Sequence, residues 1–484
     1  MLVDTKYGMF IDGEWVHAGN RAVIDVVNPA TLEKIAEVPL GSADDAKMAI
    51  QSAKEAFEPW ADLTARERSG YLYRAYELML QQKEKLAELL TLEQGKPLKE
   101  ALAEIEFAAS FLLWYAEEGN RVYGETIPSS KKNKRLWAIP QPIGVVAAIT
   151  PWNFPSAMVT RKIAPALAAG CTVVLKPAEQ TPLSAIEIMK IFEEVGLPRG
   201  VVNLITGNPA EIGEVLLNSK DVKSITFTGS TEVGKLLMKG SASNLKKVSL
   251  ELGGHAPLLV LEDADLDLAA EQALASKFRN CGQTCICTNR IFVHENIKEV
   301  FLEKLVNKVR NLKMGEGLNV KTDIGPLINE SALKKVTDHV NDAHRKGAEI
   351  LIGGKEWDGP GGYYFEPTVL SNVTRDMKIM NEETFGPVVP VYSFEKLDDA
   401  ISVANDTDYG LAAFVFTNDF NKAIYVSEKL QYGIVGINDV FPGTAEAPFG
   451  GIKESGFGKE GGHQGIKEFL EWKYISAAVK DLGR

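Results

Sequence analysis

Between residues 44 and 118 apolar residues return every three or four positions, as in "ARERSGYLYRAYELMLQQKEKLAELLTLEQG", a run that stops at Gly95 before Lys96-Pro97. That period marks one face of an α-helix, and glycine followed closely by proline is a helix stop. The pattern predicts amphipathic helices whose role is packing. From about residue 144 the texture changes. Short β-branched runs, "GVVAAIT", "CTVVLKP", "GVVNLITG", "KSITFTG" and "KKVSLELGG", alternate with helical stretches such as "TPLSAIEIMKIFEEVG". Strand and helix in alternation predict an α/β fold with a parallel, doubly wound sheet.

Ligands of such sheets bind beyond the carboxyl ends of the strands, where loops and helix N-termini present N–H groups. The conspicuous polar residues fall at those ends. Trp152 and Asn153 of "PWNFP" follow the first run, and Lys176 and Glu179 follow the second. "GSTEVG", Gly229 to Gly234, opens a helix after a strand, with Ser230 as a hydroxyl donor beside backbone that a phosphate can approach. Glu251 leaves an apolar strand and meets Gly253-Gly254 in "LELGGHAP". It reads as a general base or as a surface residue or cap partner.

Composition narrows the chemistry. A chain of 484 residues with 45% hydrophobic content divides into two or three domains. A formal charge of −12 argues against a general nucleic-acid binder and for small-molecule partners. The basic run "KKNKR" at 131 to 135 reads as a solvated loop or hairpin tip. The start lacks a secretory signal pattern, and no run approaches the ~18 apolar residues of a membrane span, so the expectation is a cytoplasmic protein without a membrane partner.

Three of the four cysteines, Cys281, Cys285 and Cys287, crowd into "FRNCGQTCICTNR". A reducing compartment disfavours a structural disulfide framework. The C-x3-C-x-C spacing, with His294 seven residues past Cys287, does not match a zinc site, so no metal is expected. A nucleophile remains, against the alternative of buried thiols acting as small hydrophobes.

The motifs "PWNFP", "KPAEQTP", "FTGSTEVG", "LELGG", "GQTC", "EETFGP" and "PFGGIKESGFG", in that order and over nearly the whole chain, resemble the NAD(P)-dependent aldehyde dehydrogenase superfamily. "WYAEEGNRVYG", "NFPSAMVTRK", "FRNCGQTCICTNR" and "EFLEWKYIS" resemble its succinate-semialdehyde dehydrogenase branch. The resemblance implies a Rossmann-type cofactor domain over 1–124 and 144–252, a catalytic domain over 253–433, and a small β oligomerisation arm over 125–143 and 465–484. Residues 434–464 would form a substrate-pocket loop and the return to the cofactor domain. An arm ending in an edge strand implies a homo-oligomer, a dimer or a tetramer of dimers.

Roles follow from the same resemblance. Cys285 would be the nucleophile, with the Asn153 amide and the Cys285 backbone N–H as oxyanion donors and Glu251 as the base for thioester hydrolysis. Lys176 and Glu179 would meet the adenosine ribose, Gly229 and Ser230 the pyrophosphate, and Glu383 and Phe385 the nicotinamide ribose, with Trp152 and Leu252 as further cofactor contacts. A carboxylate at 179 repels a 2′-phosphate and Lys176 partly offsets this, so NAD is preferred and NADP possible. Arg161 and Arg279 would bind a distal carboxylate or sulfonate. The substrate is then a short anionic aldehyde, succinate semialdehyde first, with sulfolactaldehyde, glutarate semialdehyde or a broader range of aldehydes as alternatives. One position departs from the branch. Gly443 stands where a serine is commonly offered to the substrate, with Thr444 as the candidate replacement. Cys281 would be a packed thiol, and Cys287 either an inert neighbour of Cys285 or its partner in a strained, labile disulfide.

Overall fold

The structure, a computed structural model, describes residues 7–480. The last four residues of the expected arm, 481–484, lie outside the described residues.

Four helices follow one another from Ala43–Ala61 through Ala65–Gln81 and Lys83–Gln94 to Leu98–Glu118. Their starts are written locally: Ser42 with Asp45, and Thr64 with Glu67, form reciprocal capping boxes that satisfy the first free N–H groups. Gly95, with φ 93°, ends the third helix in the left-handed region that glycine enters without penalty.

The first large sheet has eight strands, in the spatial order Gly456–Phe457, Lys247–Glu251, Val222–Thr228, Val145–Ile149, Thr172–Lys176, Val202–Leu204, Gly8–Ile11, Glu14–His17. The strands from Lys247–Glu251 to Val202–Leu204 are parallel, and both edges are antiparallel additions. From Val145–Ile149 the chain first builds outward through Thr172–Lys176, then crosses back to build the other way through Val222–Thr228. This reversal opens a crevice between neighbouring strand ends. Register levels those ends, since Ile149 stands opposite both Phe227 and Lys176, and Thr228 opposite Glu251. Loops 150–156, 229–231 and 252–255 therefore leave the sheet on one rim.

Parallel strands need cover on both faces. Helix Ala157–Ala169, buried at every position, covers one face and packs closely against Leu98–Glu118. On the other face, Ala43–Ala61, Pro209–Asn218 and Thr231–Ser241 enclose a separate cluster of buried apolar side chains.

A second sheet of seven strands runs in the order Glu349–Ile352, Thr368–Ser371, Val388–Phe394, Thr288–His294, Ala256–Val260, Ala412–Phe416, Ile434–Ile437. Only its first strand is antiparallel to its neighbour, and its core is independent of the first sheet's. A third, antiparallel sheet joins Leu470–Ala478 to Lys134–Pro142 and Glu125–Ile127. The basic run sits at the tip of its hairpin, where residues 131–133 turn and Lys134 begins the strand. Among the described residues no helix is long and apolar enough to cross a membrane.

Candidate active site

The chain between helix Leu266–Phe278 and strand Thr288–His294 makes an unusual turn. Asn280, Cys281 and Gly282 all have positive φ, at 51°, 56° and 74°. Two non-glycine residues in this region are costly and persist only where surroundings hold them. Glu100 supplies one such hold, accepting the Asn280 N–H at 2.7 Å. Close packing supplies another: a Cβ at Gly282 would come 2.2 Å from the Gly386 carbonyl oxygen. The turn brings half-buried Cys285 to the point where two cavities meet, and its side chain lines both.

The cavity on the sheet rim, about 420 Å³, is walled by Trp152, Asn153, Gly229, Ser230, Leu252, Lys335, Glu383 and Phe385. Ser230 is the N-cap of helix Thr231–Ser241, its hydroxyl accepting the Val233 N–H, so a helix N-terminus faces the opening. Gly234 is required by packing, because its Cβ would meet Leu252 Cδ2 at 2.4 Å. Gly254 is required likewise, since a Cβ there would reach 2.3 Å from the Cys285 carbonyl oxygen. Glu383 accepts the Gly254 N–H at 3.0 Å, and burial pushes its carboxyl up to about 7. Trp152 and Phe385 meet edge to face at 5.6 Å. A helix N-terminus for phosphate, a carboxylate for ribose hydroxyls, aromatic walls and the buried, unpartnered Thr228 hydroxyl fit a nicotinamide dinucleotide.

Lys176 and Glu179 are not among the residues lining this cavity. They form an ion pair at the next strand end, and Lys176 Nζ also donates to the Pro177 carbonyl at 3.1 Å. Lys335, exposed on helix Glu330–Arg345, lines the cavity but carries no motif that would have singled it out.

The second cavity, about 370 Å³, is mostly apolar, with Phe107, Phe154, Phe441 and Phe449 in its wall. Two guanidiniums enter it. Arg161, 2% exposed, lies 3.9 Å over the Phe449 ring with Nε 2.7 Å from Glu460 Oε2, a charge contact without hydrogen-bond alignment; its Nη2 has no partner. Arg279 lies between the rings of Phe154 and Phe441, at 5.0 and 5.6 Å, and makes no salt bridge among the described residues. Gly443 lines this wall and a Cβ there would find its nearest neighbour, Phe107, 4.0 Å away. Thr444 does not replace it. Its side chain is exposed and is not among the residues that line the cavity.

Glu251, at the rim end of its strand, is 3% exposed and both carboxylate oxygens lack partners. Glycine at 450 leaves it room, since a Cβ there would sit 2.6 Å from Oε1. Burial, then the nearby Glu460 charge, pushes its carboxyl well above the usual range, while Arg161, Lys162 and Lys459 oppose the shift. Burial also pushes the Cys285 thiol up to about 12, against the pull of Arg161. All four cysteines are free. Cys281 is 1% exposed within the core of the second sheet. Cys287 is buried and contacts the Gly282 carbonyl oxygen at 3.4 Å and Lys277 Nζ at 3.7 Å.

The helical region expected only to pack contributes to the site. Glu100, Glu104 and Phe107, spaced three and four residues apart on helix Leu98–Glu118, line the second cavity, with Lys99 at its mouth. Two acids on an otherwise apolar helix face were the available signal.

The chain has extensive similarity to known proteins. The profile of the aldehyde dehydrogenase family matches residues 15–475. The succinate-semialdehyde dehydrogenase [NADP(+)] of Escherichia coli is 51% identical, covering 96% of each chain. The 3-sulfolactaldehyde dehydrogenase of Pseudomonas putida is 50% identical, over 97% of this chain and 96% of its own. A solved structure described as an NADP-dependent enzyme of E. coli superposes with a TM-score of 0.97 at 50% identity, covering 98% of both chains. A thiol between a dinucleotide-shaped crevice and an arginine-bearing apolar cavity, on a fold shared nearly end to end, has one reading: the chain belongs to the aldehyde dehydrogenase family.

Proposed function

We propose that this protein oxidises a short aldehyde bearing a distal anion, succinate semialdehyde foremost, to the carboxylate. The observation that carries this reading is the position of Cys285 at the junction of the two cavities, one of which holds Arg161 and Arg279. An aldehyde entering from the arginine side places its carbonyl at Sγ and its anionic end among guanidinium donors.

Cys285 Sγ adds to the carbonyl carbon and the thiol proton leaves to Glu251. The oxyanion accepts hydrogen bonds from the Asn153 amide and the Cys285 N–H. Because one Asn153 N–H is already fixed on the Gln283 carbonyl at 3.0 Å, the other is left for the oxyanion. Trp152, Gly229, Ser230, Leu252, Glu383 and Phe385, with Lys176 and Glu179 at the adenosine end, would hold the dinucleotide, which would supply the hydride acceptor. Loss of hydride from the former aldehyde carbon leaves a thioester on Cys285. Glu251 first releases the thiol proton to solvent, then takes a proton from water as the water oxygen attacks the acyl carbon; the C–S bond breaks, the carboxylic acid departs, and the Cys285 thiolate regains its proton from Glu251.

NAD is the favoured dinucleotide because the Glu179 carboxylate opposes a 2′-phosphate, and the Lys176 ion pair leaves NADP usable. The first sheet and its helices serve as the cofactor domain and the second sheet as the catalytic domain. The three-stranded sheet serves as the arm of a cytoplasmic homo-oligomer, its long edge strand seeking a partner subunit.

Open space at Gly443 favours a second reading, in which a bulkier anionic aldehyde such as sulfolactaldehyde or glutarate semialdehyde is preferred. NADH formation by the purified protein from each of the three, beside a neutral aldehyde of similar length, tests both readings. The highest kcat/KM names the substrate, and a lead for the neutral aldehyde would refute the anionic-aldehyde proposal.

A further inference from the structure

Lys96 ends the turn between helices Lys83–Gln94 and Leu98–Glu118, and its side chain is 1% exposed. Three groups surround its ammonium: Glu104 Oε2 at 2.5 Å, the Asn153 carbonyl oxygen at 2.7 Å, and the face of the Phe154 ring at 3.9 Å. Glu104, equally buried, uses its other oxygen to accept the N–H groups of Ser156 and Ala157, at 3.0 and 3.3 Å. The pair thus binds the backbone of loop 153–157 at both ends.

The Asn153 carbonyl has a second donor from the opposite side, Asn280 Nδ2 at 2.9 Å, and Asn280 lies in the turn that carries Cys285. The Asn153 side chain is fixed in turn by Gln283, whose amide is held by the Asn280 and Pro326 carbonyls and by the Ile328 N–H. One peptide carbonyl is therefore gripped by a cation from the N-terminal helices and an amide from the nucleophile turn.

Stability alone does not account for the ion pair. Removing two opposite charges from water costs more than their attraction commonly returns, and apolar residues of similar volume serve as well or better. What an apolar pair could not supply is the set of charge-assisted hydrogen bonds to loop 153–157. We infer that Lys96, with Glu104, is a positioning residue that sets the Asn153 amide against the oxyanion forming at Cys285. The inference rests on the oxyanion role proposed for Asn153. It places Lys96, which lines neither cavity, in control of the chemical step.

A double-mutant cycle of Lys96→Met and Asn153→Ala, read by kcat, by aldehyde KM and by single-turnover NADH formation, tests it. Asn153→Ala is expected to lower kcat by about 10²–10³-fold, the usual loss for an oxyanion donor. Lys96→Met is expected to lower kcat by about 10–100-fold with aldehyde KM within about threefold, because misplacing a group costs on that order. In the Asn153→Ala background, Lys96→Met should cost less than about twofold, since its action passes through the missing amide. Additive losses would overturn the inference while leaving the role of Asn153 intact. An unchanged kcat in Asn153→Ala would remove that role and the inference with it.

Lys96→Met strands a buried carboxylate, so Lys96→Met with Glu104→Leu removes both charges and keeps the fold testable. The inference expects this variant to recover thermal stability but keep the low kcat. Recovery of kcat together with stability would show a structural role only and overturn it.

Discussion

The two cavities that meet at Cys285 are built from different kinds of chain. The rim-side cavity is made of strand ends and the loops after them, with glycines where backbones touch and a hydroxyl at a helix start. The other is made of helix faces, with Arg161 on one helix and Glu100, Glu104 and Phe107 on another, closed by a loop near the C-terminus. Local geometry dictates the first and leaves a readable trace. Packing of distant elements dictates the second, and it leaves only isolated residues.

The largest effect belongs to the acid proposed to serve Cys285, at the rim end of its strand. Glu251→Gln should lower steady-state turnover by about 10²–10⁴-fold, the range for a lost general base. The thioester on Cys285 should then accumulate, visible as an acyl mass adduct in the intact protein. Turnover within a few-fold of the parent would place the base elsewhere.

Next come the two arginines, which differ in what they support. Arg161→Ala deprives the buried Glu460 of one of its two cations, Lys162 Nζ at 2.5 Å being the other, and should cost about 3 kcal/mol in urea unfolding. Arg279, half-buried with no salt bridge among the described residues, should cost less than about 1 kcal/mol. Equal losses would erase the distinction between a built-in and a free guanidinium.

A smaller effect belongs to the rim-side cavity. The Glu383 carboxyl is raised to about 7, so its anionic form, proposed to accept ribose hydroxyls, grows as pH rises through that value. Cofactor KM should fall by about three- to tenfold between pH 6 and pH 8, and Glu383→Gln should flatten the profile. A KM that rises with pH would contradict the assignment. The smallest effect lies opposite. Gly443→Ser places a side chain in open space and should shift the preference among anionic aldehydes by about two- to fivefold toward the shorter ones. An unchanged preference would remove residue 443 from substrate selection.

Legibility in the sequence followed the same division. The parallel sheet was readable because β-branched runs and helices alternate, and the rim because polar residues follow those runs directly, as at Trp152, Gly229 and Glu251. Lys176 and Glu179 also follow a run, yet they pair with each other outside the cavity lining, a side-chain choice that spacing does not encode. The helices at 43–118 announced themselves by period, but period hides function: Glu100 and Glu104 occupy places on an apolar face that caps and surface charges also take. Thr444 failed for a different reason. Neighbours in a loop point in different directions, and only the path of the backbone decides which one reaches the cavity. Glu460, about three hundred residues beyond Arg161, meets it through tertiary folding alone.

The central claim is that the arginine-bearing cavity selects the substrate by its distal charge. The most direct measurement is the ratio of kcat/KM for succinate semialdehyde to that for a neutral aldehyde of equal length, in the parent protein, Arg161→Ala and Arg279→Ala. The account predicts a ratio well above one in the parent and a fall of about 10–100-fold in each variant, as charge-assisted hydrogen bonds are lost. A parent ratio at or below one, or a ratio indifferent to both arginines, would contradict it.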